Sequence, residues 1–135
     1  MGKMQTSEAT SSPQVAYNFT LDDLAASQTG TDIPTPGGLI NTYLLPVRGY
    51  IVGYAINKSA AHSAGSLDFD IEVNGTSTLT IQADTTSVYS TINVPDEPFA
   101  AGETLGVTYT SDGSLSATTV DVVVTVFVMF EEWDI

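Results

Sequence analysis

The chain contains no cysteine, and its three lysine and arginine residues and one histidine stand against sixteen aspartate and glutamate residues. Without cysteine it forms neither disulfides nor thiolate-ligated zinc or iron–sulfur sites. The net charge of −13 argues against nucleic acid and against anionic membranes as partners, because both bind cationic protein surfaces. The same charge favours solubility and is expected to make copies of the chain repel one another.

Long apolar runs are also missing. The most apolar stretch is far shorter than the roughly 20 residues that a helix needs to span a bilayer, and Met1–Ser12 lacks the apolar core of a signal peptide. No Gly-x-Ser-x-Gly motif is present, and the single histidine, His62, stands among serine and alanine in a predicted loop. We therefore predict that the protein is not an enzyme and has neither catalytic residues nor a cofactor.

The most strand-like stretch runs from Thr118 to Phe130. Alternate valines form one apolar face, as the period of two in a β-strand predicts. The opposite face begins polar and then becomes apolar. One face can fill the core of the domain, whereas the other needs a cover from elsewhere in the chain or from another copy. The residues that we predict at this interface with a covering partner are Val123, Phe127 and Met129.

The clearest two-faced strand is Leu67–Val73, in which apolar residues alternate with Asp68, Asp70 and Glu72. Asn74–Gly75 follows at once. This pair favours a two-residue hairpin turn of type I′, because both residues tolerate a positive φ. The sequence therefore predicts a hairpin with an acidic outer face.

Strands recur every 8 to 12 residues or so with almost no helix, which is typical of an antiparallel sandwich or barrel. We predict an all-β fold: a jelly-roll-like antiparallel β-sandwich of about eight strands over residues 15–135, preceded by a flexible N-terminal arm, residues 1–14. An immunoglobulin-like sandwich is the alternative, but its cysteine landmarks are missing. Local patterns predict one helical turn at Asp22–Ser27, a loop at Gln28–Gly38 and a strand at Leu39–Leu45.

Carboxylates raise the question of a cation site, since Ca²⁺ prefers several oxygen ligands. Side chains at alternate positions of one strand are about 7 Å apart, so the acidic row of Leu67–Val73 is interpreted as a solvated face, and no metal site is predicted. A cation site where acidic loops meet at one end of the sandwich stays open. Its candidate residues are Asp84, Asp96, Glu97 and Asp112.

Aromatic residues raise a carbohydrate-binding interpretation, because sugars stack on exposed rings. Most of the tyrosines lie on predicted strand faces, where core or interface positions are more common. Trp133 differs, since it follows the last strand among acidic residues. We predict that Trp133 anchors the C-terminus on a neighbouring subunit or on a larger assembly, as a fourth interface residue.

Several motifs follow one another between Arg48 and Phe130. In order they are Gly49–Gly53, Ala64–Leu67, Val73–Thr76, Phe99–Val107, Thr110–Gly113 and the alternating valine strand. This order is similar to that in the jelly-roll domains of bacteriophage capsid decoration (cement) proteins, head fibres and tail-fibre tips. The resemblance covers about 60% of the chain, judged against a usual domain size. It implies a jelly-roll fold and trimeric assembly, and it implies no catalytic residues.

The resemblance predicts a structural virion protein located on the capsid surface. Its partners would be two further copies in a homotrimer and the major capsid protein, with the trimer stabilising a phage head by binding across capsid subunits. A small domain with an arm favours decoration, because a fibre would carry long shaft segments. The alternative is a receptor- or glycan-binding fibre-tip module.

Overall fold

A computed structural model of the chain describes residues 14–83, 85–92, 97–116 and 119–131. These residues form ten strands and no helix, so the described part of the chain has no helical segment that could cross a membrane. The strands are β1 (Gln14–Leu21), β2 (Thr31–Asp32), β3 (Thr42–Leu44), β4 (Gly49–Lys58), β5 (Leu67–Val73), β6 (Thr76–Gln82), β7 (Ser87–Thr91), β8 (Pro98–Phe99), β9 (Thr104–Ser111) and β10 (Val122–Phe130).

The strands form two antiparallel sheets that pack face to face. The first sheet has the order β1-β10-β4-β7, with β8 also paired to β4. The second has the order β2-β9-β5-β6, with β3 paired to β9 beside β2. The prediction of an antiparallel β-sandwich is therefore confirmed.

The strands pair in a nested order, early strands with late ones, and this order defines the topology. The first strand pairs with the last, β2 and β3 pair with β9, β4 pairs with β7, and β5 pairs with β6. Two further pairings, β10 with β4 and β9 with β5, join these hairpins into two sheets. A long double-stranded hairpin wrapped into two sheets in this order is a jelly roll.

The alternating valines of β10 line the core, as the sequence predicts. Val124, Val126 and Val128 are fully buried, and β1 and β4 flank them on either side. Leu67, Phe69 and Ile71 of β5, in the other sheet, are also fully buried and belong to the same core. Each buried aliphatic or aromatic side chain contributes roughly 1.5 to 3 kcal/mol to stability, so this shared core is a large part of the support of the fold.

The hairpin predicted at Asn74–Gly75 is confirmed. Both residues have positive φ, 54° and 79°, and Val73 pairs with Thr76 across the turn. The Asn74 side chain does more than accommodate the turn. Its Oδ1 accepts a hydrogen bond of 3.1 Å from the backbone N–H of Thr104, which ties the hairpin to the start of β9.

The predicted helical turn at Asp22–Ser27 is wrong. Asp23 and Ser27 both have a φ of 59°, which no right-handed helix contains. Tertiary hydrogen bonds hold the segment instead, with the N–H of Leu24 donating to the carbonyl of Val120 at 2.9 Å. Leu24 is buried, so its burial and these distant partners override the local helical pattern.

The sheets contain more strands than the eight or so that the sequence predicts. The two additional strands, β2 and β8, have two residues each and exist only because a long neighbour pairs with them. The strand predicted at Leu39–Leu45 is shorter, and only Thr42–Leu44 pairs with β9. Of the predicted arm, Gln14 opens β1 and pairs with Met129, and the preceding residues lie outside the described part of the chain.

Candidate assembly interface

The outer side of the first sheet holds the predicted interface residues. Val123 is 40% exposed, whereas Phe127 and Met129 are half-buried. Trp133, the fourth predicted residue, lies outside the described residues. The structure therefore places three of the four residues on one strand, β10, and on the side that faces away from the domain's own core.

An aromatic pair spans this surface. Phe127 meets Tyr89 of β7 edge-on, with ring centroids 6.4 Å apart and planes at 73°. Phe127 also lies over Gly53, where a Cβ would come 3.6 Å from the Phe127 ring. Tyr89 is 69% exposed, so the pair offers an apolar surface to a partner. Sequence alternation identifies Tyr89 as a strand residue but does not show that it lies beside Phe127.

The outer side of this sheet is uncharged. Across the four strands β1, β10, β4 and β7, the only charged residue is Lys58, and it is buried. We call this surface the neutral face. Its residues are Ala16, Asn18 and Thr20 of β1, Val123, Thr125, Phe127 and Met129 of β10, Gly53, Ala55 and Asn57 of β4, and Ser87 and Tyr89 of β7.

The polar groups of the neutral face pair with each other. Thr125 Oγ1 donates to Asn18 Oδ1 at 2.8 Å, and Ser87 Oγ donates to Asn57 Oδ1 at 2.8 Å. Polar groups that already have hydrogen-bond partners lose less on desolvation than unpaired ones. A second protein can therefore cover the neutral face at a small cost in free energy.

The second sheet presents the opposite character, because its outer side carries the acidic row. Asp70 Oδ1 accepts hydrogen bonds from Thr80 Oγ1 at 2.6 Å and from Ser77 Oγ at 3.3 Å. Glu72 Oε2 accepts one from Thr108 Oγ1 at 3.1 Å. These carboxylates therefore accept hydrogen bonds from neighbouring hydroxyl groups of the same sheet. No group of acidic or histidine side chains in the described ranges has the arrangement to hold a metal ion.

Of the four candidate loop carboxylates, Asp84 and Asp96 lie outside the described residues. Glu97 is half-buried just before β8, where its backbone carbonyl accepts a hydrogen bond of 2.9 Å from the N–H of Ile51. Asp112 bridges two loops: its Oδ1 accepts from the N–H of Ser114 at 3.0 Å, and its Oδ2 accepts from Ser66 Oγ at 3.1 Å. Desolvation raises the pKa of Asp112, but the hydrogen bonds from Ser114 and Ser66 outweigh it and hold the pKa below its usual value.

Asp112→Asn is expected to lower stability near neutral pH and to have no effect in strong acid. Because the folded pKa is the lower one, the ionised carboxylate stabilises the fold above the unfolded pKa of about 4. That contribution is lost as the pH falls through the folded pKa. Urea unfolding at a series of pH values measures this contribution to the free energy of unfolding. If the difference in free energy of unfolding between variant and wild type stayed constant down to about pH 2, a change in loop shape would explain it instead.

His62 lies in the loop between β4 and β5, as predicted. Its Nδ1 is 3.0 Å from the Nζ of Lys58, and Lys58 also donates to the carbonyl of Ala83 at 3.1 Å. Lys58 is buried at the end of β4. These contacts join the loops that follow β4 and β6, so the described contacts of His62 are structural.

A second group of exposed apolar residues lies around β3. Leu39 is 92% exposed, Ile40 is 60% exposed and Leu44 is 66% exposed. We call these three residues the loop patch. The strand prediction for Leu39–Leu45 implies half-buried side chains, so sequence reasoning misses this surface. The signal that could have found it is Pro36-Gly37-Gly38, which breaks the strand before Leu39.

The tyrosines considered for carbohydrate binding take different positions. Tyr109 is buried, and Tyr43 packs against Phe19 while its hydroxyl donates to the carbonyl of Asn18 at 2.9 Å. Tyr50 lines a shallow open depression of about 390 Å³ whose rim includes Arg48. This depression could accept a small polar ligand on an aromatic floor.

Comparison with known proteins supports the fold. No family model matches the chain, and no curated protein matches it in sequence. Among solved structures, a chain in the acidic stable capsid structure of Helicobacter pylori bacteriophage KHP30 is similar, with a TM-score of 0.52 and 10% sequence identity. The match covers 90% of this chain and 91% of that one. At this identity the likeness shows the fold alone: the jelly roll described above has a counterpart in a phage capsid.

Proposed function

We propose that this protein is a structural component of a phage virion that decorates and stabilises the capsid as a homotrimer. The observation that carries the proposal is the neutral face. A protein with a net charge of −13 leaves one side of its sheet without charge, although most soluble surfaces carry charges throughout. An uncharged surface with exposed aromatic and aliphatic side chains is typical of an interface between subunits.

The distribution of charge favours another copy of this chain as the partner of that face. Two acidic copies repel wherever their carboxylates approach, and the acidic row lies on the outer side of the other sheet. Contact through the neutral face removes Val123 and the Phe127–Tyr89 pair from water while the carboxylates stay apart. Closed rings are the usual outcome for soluble homo-oligomers, and a trimer fits the resemblance of the sequence to phage decoration proteins.

The proposed mechanism of stabilisation is mass action. A trimer that binds the assembled shell across several copies of the major capsid protein, and does not bind free subunits, shifts the equilibrium toward the shell. At a free concentration 100 times the dissociation constant, each such site adds about 2.7 kcal/mol. No chemical step is part of this function, so we propose that the protein has no enzymatic role.

Two measurements test the proposal. Light scattering is expected to give three times the mass of one chain. Shells of the same phage's major capsid protein are expected to melt at a higher temperature when the purified protein is present. A monomer across the accessible concentration range would contradict the trimer, and shells with an unchanged melting temperature would contradict decoration.

Salt is expected to strengthen self-association. The Debye length falls from about 10 Å at 0.1 M to about 3 Å at 1 M ionic strength, which screens the repulsion between acidic copies and leaves apolar contact intact. We expect the trimer dissociation constant to decrease by about tenfold or more over that range. Analytical ultracentrifugation at several NaCl concentrations measures it. Weaker association at high salt would show that ion pairs hold the copies together.

A glycan-binding fibre tip is the second candidate function. The depression beside Tyr50 and Phe99 favours it, since Arg48 and Glu131 form an ion pair of 2.6 Å at its rim and could hydrogen-bond a sugar over the apolar floor. NMR titration with a panel of neutral and acidic oligosaccharides tests this function. Shifts that map to the depression and disappear in Tyr50→Ala would favour the fibre tip over decoration.

A further inference from the structure

The loop patch is an apolar surface held in place by backbone contacts. Two hydrogen bonds join Thr35 to Ile40: the N–H and the Oγ1 of Thr35 both donate to the Ile40 carbonyl at 2.9 Å. The 15 residues from Ile33 to Val47 contain no charged side chain. A preorganised surface loses little conformational entropy when a partner covers it. The loop patch thus has the properties of a docking element.

The position of the loop patch separates it from the aromatic part of the neutral face. The segment that carries it is joined to β1, since the N–H of Thr20 donates to the carbonyl of Pro34 at 2.9 Å. Tyr89 lies on β7, at the far edge of the same sheet. Strands lie about 4.8 Å apart, so three strand spacings, or about 14 Å, separate the two edges. One molecule therefore carries two uncharged apolar surfaces at opposite sides of the sandwich: the loop patch, which leads into β3 of the second sheet beside β1, and the Tyr89–Phe127 pair, which reaches β7 at the far edge of the first sheet.

We propose that the loop patch of one copy packs against the Tyr89–Phe127 pair of the next copy, and that this head-to-tail contact closes the ring. This inference rests on the proposed trimer. A contact between two different surfaces generates a ring when its rotation closes. The charge argues for this pairing, because it joins two surfaces without charge while the acidic row stays exposed to solvent. Leu39 and Ile40 are the side chains that would cover the two rings.

Two variants and their mixture test the pairing. The first is Leu39→Ser with Ile40→Ser, which removes the docking element, and the second is Tyr89→Ser, which removes the acceptor. All three side chains are exposed, so the melting temperature of each variant is expected to match that of wild type measured under dissociating conditions. Each variant alone is expected to be a monomer. An equimolar mixture is expected to form a dimer in native mass spectrometry, because it contains one intact docking element and one intact acceptor.

The outcomes separate this inference from the proposed function. A wild-type trimer that persists in either variant overturns the pairing and leaves the trimer standing. A wild-type monomer overturns both. Two monomeric variants that form no dimer when mixed show that the two surfaces do not contact each other, which also overturns the pairing.

Disulfide trapping provides an independent test, because the chain has no cysteine of its own. In the double variant Leu39→Cys with Tyr89→Cys, the two thiols lie at opposite edges of one molecule, whereas a disulfide requires Cα atoms within about 7 Å. Oxidation is therefore expected to link neighbouring copies into a covalent trimer on a non-reducing gel. The single variants are expected to stay unlinked. Absence of linkage in the double variant would overturn the pairing.

Discussion

Gly65→Ala is expected to destabilise the fold by about 2 to 5 kcal/mol, the sum of about 1 to 2 kcal/mol of left-handed backbone strain and about 1 to 3 kcal/mol of overpacking. Gly65 has a φ of +89°, and a Cβ at this position would lie 2.5 Å from the Cα of Leu115 and 2.7 Å from Oδ1 of Asp112. The Leu115 backbone cannot give way easily, because the N–H of Leu115 contacts the carbonyl of Asp112 at 3.4 Å and its side chain is buried. Urea denaturation measures the loss.

Gly102→Ala is the matched control. Its φ of +86° is nearly the same, but nothing lies within 4 Å of the position that its Cβ would take. Only the left-handed strain remains, at about 1 to 2 kcal/mol. Equal losses in the two variants would show that the contact with Leu115 contributes nothing and that backbone conformation explains both.

Val123→Asp is expected to abolish the proposed trimer and leave the fold intact. The side chain is 40% exposed on the neutral face, so a monomer can solvate the new carboxylate. In the assembly the same carboxylate would be buried without a partner, which costs about 2 to 5 kcal/mol per contact, or about 30-fold or more in affinity. Light scattering is expected to give the mass of one chain. The melting temperature of this monomer is expected to match that of wild type measured under dissociating conditions.

Gln82→Glu adds the same charge at an exposed position of β6, on the other sheet. It is expected to remain a trimer, because the acidic side of the molecule stays in solvent. Dissociation of both variants would show that net charge alone controls assembly. Retention of the trimer in both would show that the interface lies away from Val123.

Several elements follow directly from local patterns. The two faces of β10 and of β5 are readable in the sequence, because period-two alternation reports which side of a strand is buried. The Asn74–Gly75 turn is equally readable, since the preference for positive φ belongs to those two residues alone. Predicting that Val123 and Phe127 lie outside the core requires no more than the same alternation.

Other elements depend on partners far away in sequence. Asp22–Ser27 has a helical pattern, yet Asp23 donates its N–H to the carboxylate of Asp121 at 3.0 Å, and such a contact leaves no local signal. The two strands of two residues each need β9 and β4 to define them. Leu39 and Ile40 look like strand residues, but the β2–β3 connection turns them to solvent.

By itself, then, the sequence determines the fold class, the buried faces of the long strands, the hairpin turn and the acidic, cysteine-free surface, because each of these is a property of neighbouring residues. Only the tertiary structure decides the nested strand order, the meeting of Phe127 with Tyr89, the neutral face that four separate strands compose, and the exposure of the loop patch. Those features arise from pairing between residues distant in the chain. Such pairing is selected by the free energy of the whole sandwich rather than by any local preference.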